Sequence, residues 1–177
     1  TKEIKAANVL YNAQTSGFNG GDGVVLLSAS HPTQNGNQSN VLSTAADLSE
    51  TSLESILIQI SDMKDDRGLR IAAQGTQLII PTAYQFVAER LLESQLRTGT
   101  ADNDINAIKA GGYLPQGYHI MRRLTDADAF FVQTDVPDGL KMFQRSAMKK
   151  GMEGDFETGN VRYKVRERYS FGVTDWR

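Results

Sequence analysis

Residues 160–174 read N-V-R-Y-K-V-R-E-R-Y-S-F-G-V-T, and the reading of this run decides the fold. Odd positions hold Val161, Tyr163, Val165, Tyr169, Phe171 and Val173, while even positions hold Arg162, Lys164, Arg166 and Arg168. Side chains on a strand alternate between faces, so the spacing predicts one long strand with an apolar face and a basic face. At roughly 3.3 Å per residue it spans on the order of 45 Å, against an average strand of roughly 5–6 residues. The apolar face is expected to back onto its own domain. The cations need partners, within the fold or on a neighbouring chain.

The charge distribution narrows the choice of partner. The chain has 177 residues, 40% of them hydrophobic, enough for one or two small domains with cores of their own. Its formal net charge of −2 gives no global pull toward nucleic acid or membrane. Residues 1–140 carry 10 Lys/Arg against 16 Asp/Glu, and residues 141–177 carry 9 against 5. That split favours pairing between an acidic and a basic part, in one chain or across chains. A nucleic-acid face is the weaker reading, because Glu153, Asp155, Glu157 and Glu167 interleave with the cations. There is no cysteine, which excludes disulfides and thiol chemistry. No signal peptide is recognisable, and no apolar run approaches the roughly 20 residues that span a bilayer. The first residue is Thr1 and the last Arg177 follows Trp176 beside a strong strand, so the chain is expected to be a piece of a longer polypeptide.

Working back toward the N-terminus, residues 2–14 are expected to be helical, with Ile4, Ala7, Leu10 and Tyr11 on one side. The glycine-rich run from Gly17 to Gly23 is a turn region, residues 24–27 a short strand, and residues 31–40 a polar loop. A helix is predicted over 51–66, opened by a Thr51/Glu54 capping box, with Leu53, Ile56, Leu57, Ile60 and Met63 inward and Gly68 as its stop. A buried strand over 77–80 ends at Pro81, and a second helix runs over 82–96 from a Thr82/Gln85 capping box. Residues 98–117 read as a long loop. Strands are expected over 118–122, 129–133 and 140–143, the last two separated by the Asp138-Gly139 turn signal, with residues 148–155 a charged connector. Helices followed by several strands make the class α+β.

No catalytic constellation stands out. His31 lies beside Ser28 and Ser30, but neighbouring loop residues rarely have triad geometry and no carboxylate is evidently placed to orient the ring. It reads as a loop histidine, and His119 as a packed or surface residue of a strand. The Gly17–Gly23 run matches neither the dinucleotide fingerprint nor the P-loop. Asp102-Asn103-Asp104 lacks the glycine and distal glutamate of a calcium loop. Asp62, Asp65 and Asp66 crowd a helix C-terminus, where the dipole disfavours them, and Arg67 and Arg70 are expected to offset them. No metal or cofactor is implied. The basic strand face exceeds what a protected edge needs, and arginine suits bidentate pairing with carboxylates, which favours an interface or a charge network.

The order of segments resembles the C-terminal part of a tailed-phage major capsid protein with the Hong Kong 97 fold, in the subgroup related to the Mu major head subunit. The residues that carry it are Leu26 to Pro32 (L-L-S-A-S-H-P) with Asn40, Leu48 to Leu53, the strand-Pro-helix unit from Gly75 to Leu92, the Phe130-Phe131-Val132 strand, and the final strand with Val161, Arg162, Arg166 and the Gly172–Arg177 ending G-V-T-D-W-R. The family's N-terminal arm, extended loop and most of its spine helix have no counterpart here, so residues 1–15 match only the end of that helix. The Lys–Asn crosslink of some members matches no position.

The resemblance implies a Hong Kong 97-type arrangement. Residues 47–152 would form the axial domain around the capsomer centre. Residues 1–46, the helix end and connecting loop, and 153–177, the return strand, would belong to the peripheral domain. Candidate subunit-interface residues are then Arg162, Lys164, Arg166 and Arg168 on the strand, and Asp102, Asn103, Asp104 and Lys109 near the capsomer centre. The implied function is self-assembly into hexamers and pentamers of a virion shell enclosing DNA, formed in the bacterial host cytoplasm and without catalysis. Scaffold, portal or decoration proteins are further implied partners, DNA a weaker one than protein, and no membrane is involved. Two alternatives stay open: an encapsulin-like shell around a protein cargo, and a serine hydrolase using Ser28 or Ser30 with His31.

Overall fold

The computed structural model describes residues 2–14, 19–97, 104–157 and 159–177. Its centre is a three-stranded mixed sheet in the order β4-β3-β5, built from β3 (Gly75–Ile80), β4 (Tyr118–Ile120) and β5 (Phe131–Thr134). β3 pairs parallel with β4 and antiparallel with β5. The run Leu78-Ile79-Ile80 is apolar without alternation because both faces of β3 are covered. Leu78 and Ile80 enter the main core with Leu53 and Leu57 of α2 (Glu50–Ser61) and Ala88 and Leu92 of α3 (Gln85–Glu93). Ile79 points the other way, onto Ala7 and Leu10 of α1 (Lys2–Tyr11) and Leu124. Gly75 leaves the room this packing needs, since a β-carbon there would meet Leu57 at 2.9 Å and Val132 at 3.1 Å.

Several boundaries differ from expectation for identifiable reasons. α2 is capped two residues ahead of the Thr51/Glu54 box, because Ser49 is its N-cap and exchanges hydrogen bonds with Ser52, and it ends at Ser61 rather than 66. Residues 82–84 form a 3₁₀ turn with no side-chain cap, and α3 starts only at Gln85. Of the α1 residues expected inward, Ile4 is half-exposed and the Tyr11 side chain lies outside the described residues. Residues 24–27 form no strand, only a single bridge from Val25 to Asn19. The supposed polar loop at 31–40 holds a small hairpin, β1 (His31–Thr33) and β2 (Gly36–Gln38), turned by Gly36 at φ 104°. Gly17 and residues 98–103 of the long loop lie outside the described residues. The remainder of that loop carries α4 (Ala107–Gly111), capped by the buried Asn106 and anchored by Ile108 and Leu114 in the main core.

The largest departure is at the C-terminal end. Residues 140–143 and the charged connector at 148–155 are one continuous strand, β6 (Leu140–Gly154), paired antiparallel with β7 (Val161–Val173). The second half of β6 (K-K-G-M-E-G) lacks apolar alternation, which hid it. Its hydrogen bonds come from β7, not from burial. The fold is α+β, with a body of helices around a mixed sheet and a separate two-stranded ribbon.

Candidate assembly interface

The ribbon is a strut with a packed base and an open outer half. At the base, Leu140 faces Val173 and Met142 faces Phe171 across the ladder. Tyr169 meets Phe171 edge-on, with centroids 5.7 Å apart, and Lys5 of α1 lies over the Tyr169 ring at 4.9 Å. Lys141 pairs with Asp138 at 2.6 Å, and Asp138 holds a positive φ of 68° in the turn that launches β6. The Thr174 hydroxyl donates to the Asp138 carbonyl and its N–H to Gly139, so the start of β6 is tied to the end of β7.

Two bulges on β6, between Gln144 and Ser146 and between Ser146 and Lys149, separate base from outer half. Each inserts one residue opposite β7, which bends and twists a strand. Beyond them every described residue over 147–154 and 159–166 is exposed. Val161, Tyr163 and Val165 are 52%, 77% and 63% exposed, so the expectation that the apolar face backs onto its own domain holds only for Tyr169, Phe171 and Val173. α1 reaches the base, and no described residue covers the rest. Met152 lies opposite Tyr163 and extends that open apolar face.

The opposite face of the outer half is basic. The register places Arg162 against Glu153, Lys164 against Gly151 and Arg166 against Lys149. Lys149 and Arg166 are therefore two cations directly opposed, an arrangement that destabilises an antiparallel pair. None of Arg162, Lys164, Arg166 and Arg168 forms an ion pair with another described residue. The structure brings these four together on one strand. It keeps Asp104 and Lys109 elsewhere. The Lys109 ammonium donates to the Glu93 carbonyl at the end of α3, where a cation complements the helix dipole. Asp104 is exposed, and its carbonyl accepts from the Arg97 N–H at 2.8 Å. Asp102 and Asn103 lie outside the described residues.

The chain's last residues are locked into the body next to the ribbon base. His31 is fully buried, not a loop residue, and its ring stacks on Trp176 at 4.3 Å with the planes 5° apart. A carboxylate does orient it, contrary to expectation: Asp22 Oδ2 lies 2.6 Å from His31 Nδ1. Burial pushes the Asp22 carboxyl up, but the His31 hydrogen bond, the Val24 N–H and the His31 charge outweigh it and hold the group below its ordinary value. Neither Ser28 nor Ser30 is hydrogen-bonded to the pair. Ser28 Oγ accepts from the Ser30 N–H, Ser30 Oγ accepts from Asn37, and His31 Nε2 is buried without a hydrogen-bond partner. Asn40 completes the node by donating to the carbonyls of Leu26 and Trp176 and accepting from the Ser28 N–H. Asp22 was missed because only the fold of the glycine-rich turn brings it to His31. Trp176 was legible as the single tryptophan beside a strand end.

Arg177 lies over the Trp176 ring at 4.7 Å and binds Asp66 and Asp175. Asp62 pairs with Arg70 at 2.9 Å as expected, whereas Arg67 offers Asp65 only its backbone N–H. Arg177, the aspartates Asp65, Asp66, Asp135 and Asp175, and the apolar Ile71, Ala73, Val136 and Pro137 together line an open depression of about 390 Å³. Among the described residues no group of three or more His, Cys, Asp or Glu is placed to hold a metal ion, and no helix is long and apolar enough to cross a membrane. A family model described as phage capsid protein matches residues 1–177. No curated protein and no solved structure matches the chain.

Proposed function

We propose that this chain, which belongs to the phage capsid protein family, is the shell-forming subunit of an icosahedral head with a Hong Kong 97-type arrangement, related to the Mu major head subunit. It is a structural protein of the virion, and its family assembles multi-subunit shells. The expected division gives residues 47–152 to the axial domain and residues 1–46 and 153–177 to the peripheral one. Its boundary at 152 falls inside β6 (Leu140–Gly154). Because β6 is paired with β7 along its length, we move it to the peripheral part, and the axial part then ends before Leu140. Hexamers and pentamers enclose the packaged DNA, and they form in the host cytoplasm. Asp102, Asn103, Asp104 and Lys109 face the capsomer centre. Arg162, Lys164, Arg166 and Arg168 meet a neighbouring subunit.

The observation that carries this reading is the outer ribbon. A lone two-stranded ribbon is marginal in water. This one also exposes Tyr163, Val165 and Met152 on one face and opposed cations on the other. Exposed apolar surface of this kind marks an interaction site. Burial of both faces between subunits supplies what the isolated chain lacks.

The test is Arg166→Glu in the full chain, with shells counted by electron microscopy and folding followed by circular dichroism. Shell formation is expected to fail while the melting curve stays close to wild type. Equal loss of folding and assembly refutes the interface role. A buried pair broken on one side costs about 3–5 kcal/mol and an exposed one about 0–1, so the size of the assembly defect also reports how deeply the contact is buried.

A further inference from the structure

We infer that the basic face of the outer ribbon docks on the acidic depression at the ribbon base of a second copy of this chain. The inference rests on the shell-subunit reading and names the surface that receives the ribbon. Its first support is the demand for anions. Lys149 and Arg166 oppose each other, with Lys164 beside them, and no described acid pairs with any of the three.

Its second support is reach. The depression lies close to where β6 begins and β7 ends. Arg177 of the same chain pairs with its Asp66 and Asp175, which leaves Asp65 and Asp135 as the carboxylates open to a second copy. Arg166 lies seven residues along β7 from Val173, roughly 23 Å of extended strand. A hydrogen-bonded ladder cannot fold back over that distance, so the tip cannot satisfy the depression of its own chain. Cations at one end of a strut and carboxylates at the other make each copy both donor and acceptor, the geometry of a heterologous contact that closes into rings or shells.

Its third support is chemical fit. Asp65 spends Oδ1 on the N–H groups of Arg67 and Leu69, and Asp135 spends Oδ1 on the N–H of Gln74, which leaves the second oxygen of each for an incoming donor. The apolar lining, Ile71 with Ala73, Val136 and Pro137, suits the aliphatic stem of an arginine or lysine whose head meets those carboxylates. Leu69, 67% exposed and donating its backbone N–H to Asp65, is a further apolar side chain near that carboxylate. DNA suits the ribbon less well. Glu153 stands opposite Arg162, and Asp155 and Glu157 sit at the tip. A phosphate backbone laid there would meet those carboxylates.

A double-mutant cycle in the full chain tests the contact. Lys149→Gln with Arg166→Gln strips the ribbon charge. Asp65→Asn with Asp135→Asn removes the two carboxylates of the depression that Arg177 does not pair with, while keeping both Oδ1 acceptors. Each pair is expected to raise the concentration at which half the chains are assembled by about tenfold or more, and the combination by no more than the larger of the two. Multiplicative effects overturn the inference and leave the shell reading standing. A wild-type chain that forms no assemblies overturns both. Unchanged assembly with less retained DNA in the ribbon variant overturns the inference in favour of nucleic acid. A second measurement is independent of folding in the variants. Carbodiimide treatment of shells from mixed light and heavy-isotope chains is expected to join Lys149 or Lys164 to Asp65 or Asp135 between copies. Crosslinks from those lysines only to other acidic residues overturn the inference.

Discussion

β7 passes through two environments with one sequence pattern. Near its end, Tyr169, Phe171 and Val173 alternate with small or polar residues and are half-buried, covered by α1 and by the start of β6. Further out, Val161, Tyr163 and Val165 alternate with cations and stand open. The periodicity is the same, and only the presence of a covering element differs. An alternating strand therefore states which side chains share a face, not whether that face is covered by its own chain. Where it is not, the apolar face and the unpaired charges are both offered to another molecule.

The sharpest way to break this contrast is to remove one aromatic from each environment. Trp176 is buried, stacked on His31, and its carbonyl accepts from Asn40. Trp176→Ala is expected to cost about 3–5 kcal/mol of folding stability by chemical denaturation, the range for truncating a large buried aromatic. Tyr163→Ala is expected to change that stability by no more than about 0.5 kcal/mol, as for a surface position, while lowering the yield of shells. Comparable losses of stability from both would mean that the outer ribbon is packed in the isolated chain, and the contrast would fall.

A smaller effect probes the node beneath the ribbon base. The Asp22 carboxyl is held below its ordinary value of 3.8 when the chain is folded. The stability it contributes is then fully present above that value and is lost as pH falls through the lower folded one. Asp22→Asn is expected to lose about 1.5–3 kcal/mol at neutral pH, the range for a hydrogen bond to a charged group. It should also have a shallower acid limb, converging on wild type at low pH. Parallel curves down to the lowest pH would show that Asp22 is not the titrating group.

The same contrast explains what could be read from residues alone. Helix and strand types in the body were legible because Leu53, Leu57, Leu78 and Ile80 carry periodicity matched to a shared core. β7 was legible from its alternation alone, although only its inner end is covered. The second half of β6 was not, since Lys149, Lys150 and Gly151 have no periodicity and owe their extended form to pairing with β7. His31 looked like a loop residue because its partners, Asp22 and Trp176, are separated from each other by most of the chain. The basic face was visible as a pattern, and its opposition to Lys149 emerged only with the register.

The smallest expected effect is also the most telling, because its two readouts move in opposite directions. In the isolated chain Lys149 and Arg166 repel across the ladder. Lys149→Glu replaces that repulsion with an opposite-charge pair and is expected to stabilise the isolated chain by about 0.2–1 kcal/mol. In the assembled state the same change removes a cation that the neighbour's carboxylates need and sets a carboxylate against them. Shells should form less readily from a chain that folds better. A purely structural ribbon gives no reason for that divergence: folding and assembly would improve together, or neither would move. Thermal melting of the unassembled chain beside sedimentation of the assembly reaction distinguishes the two.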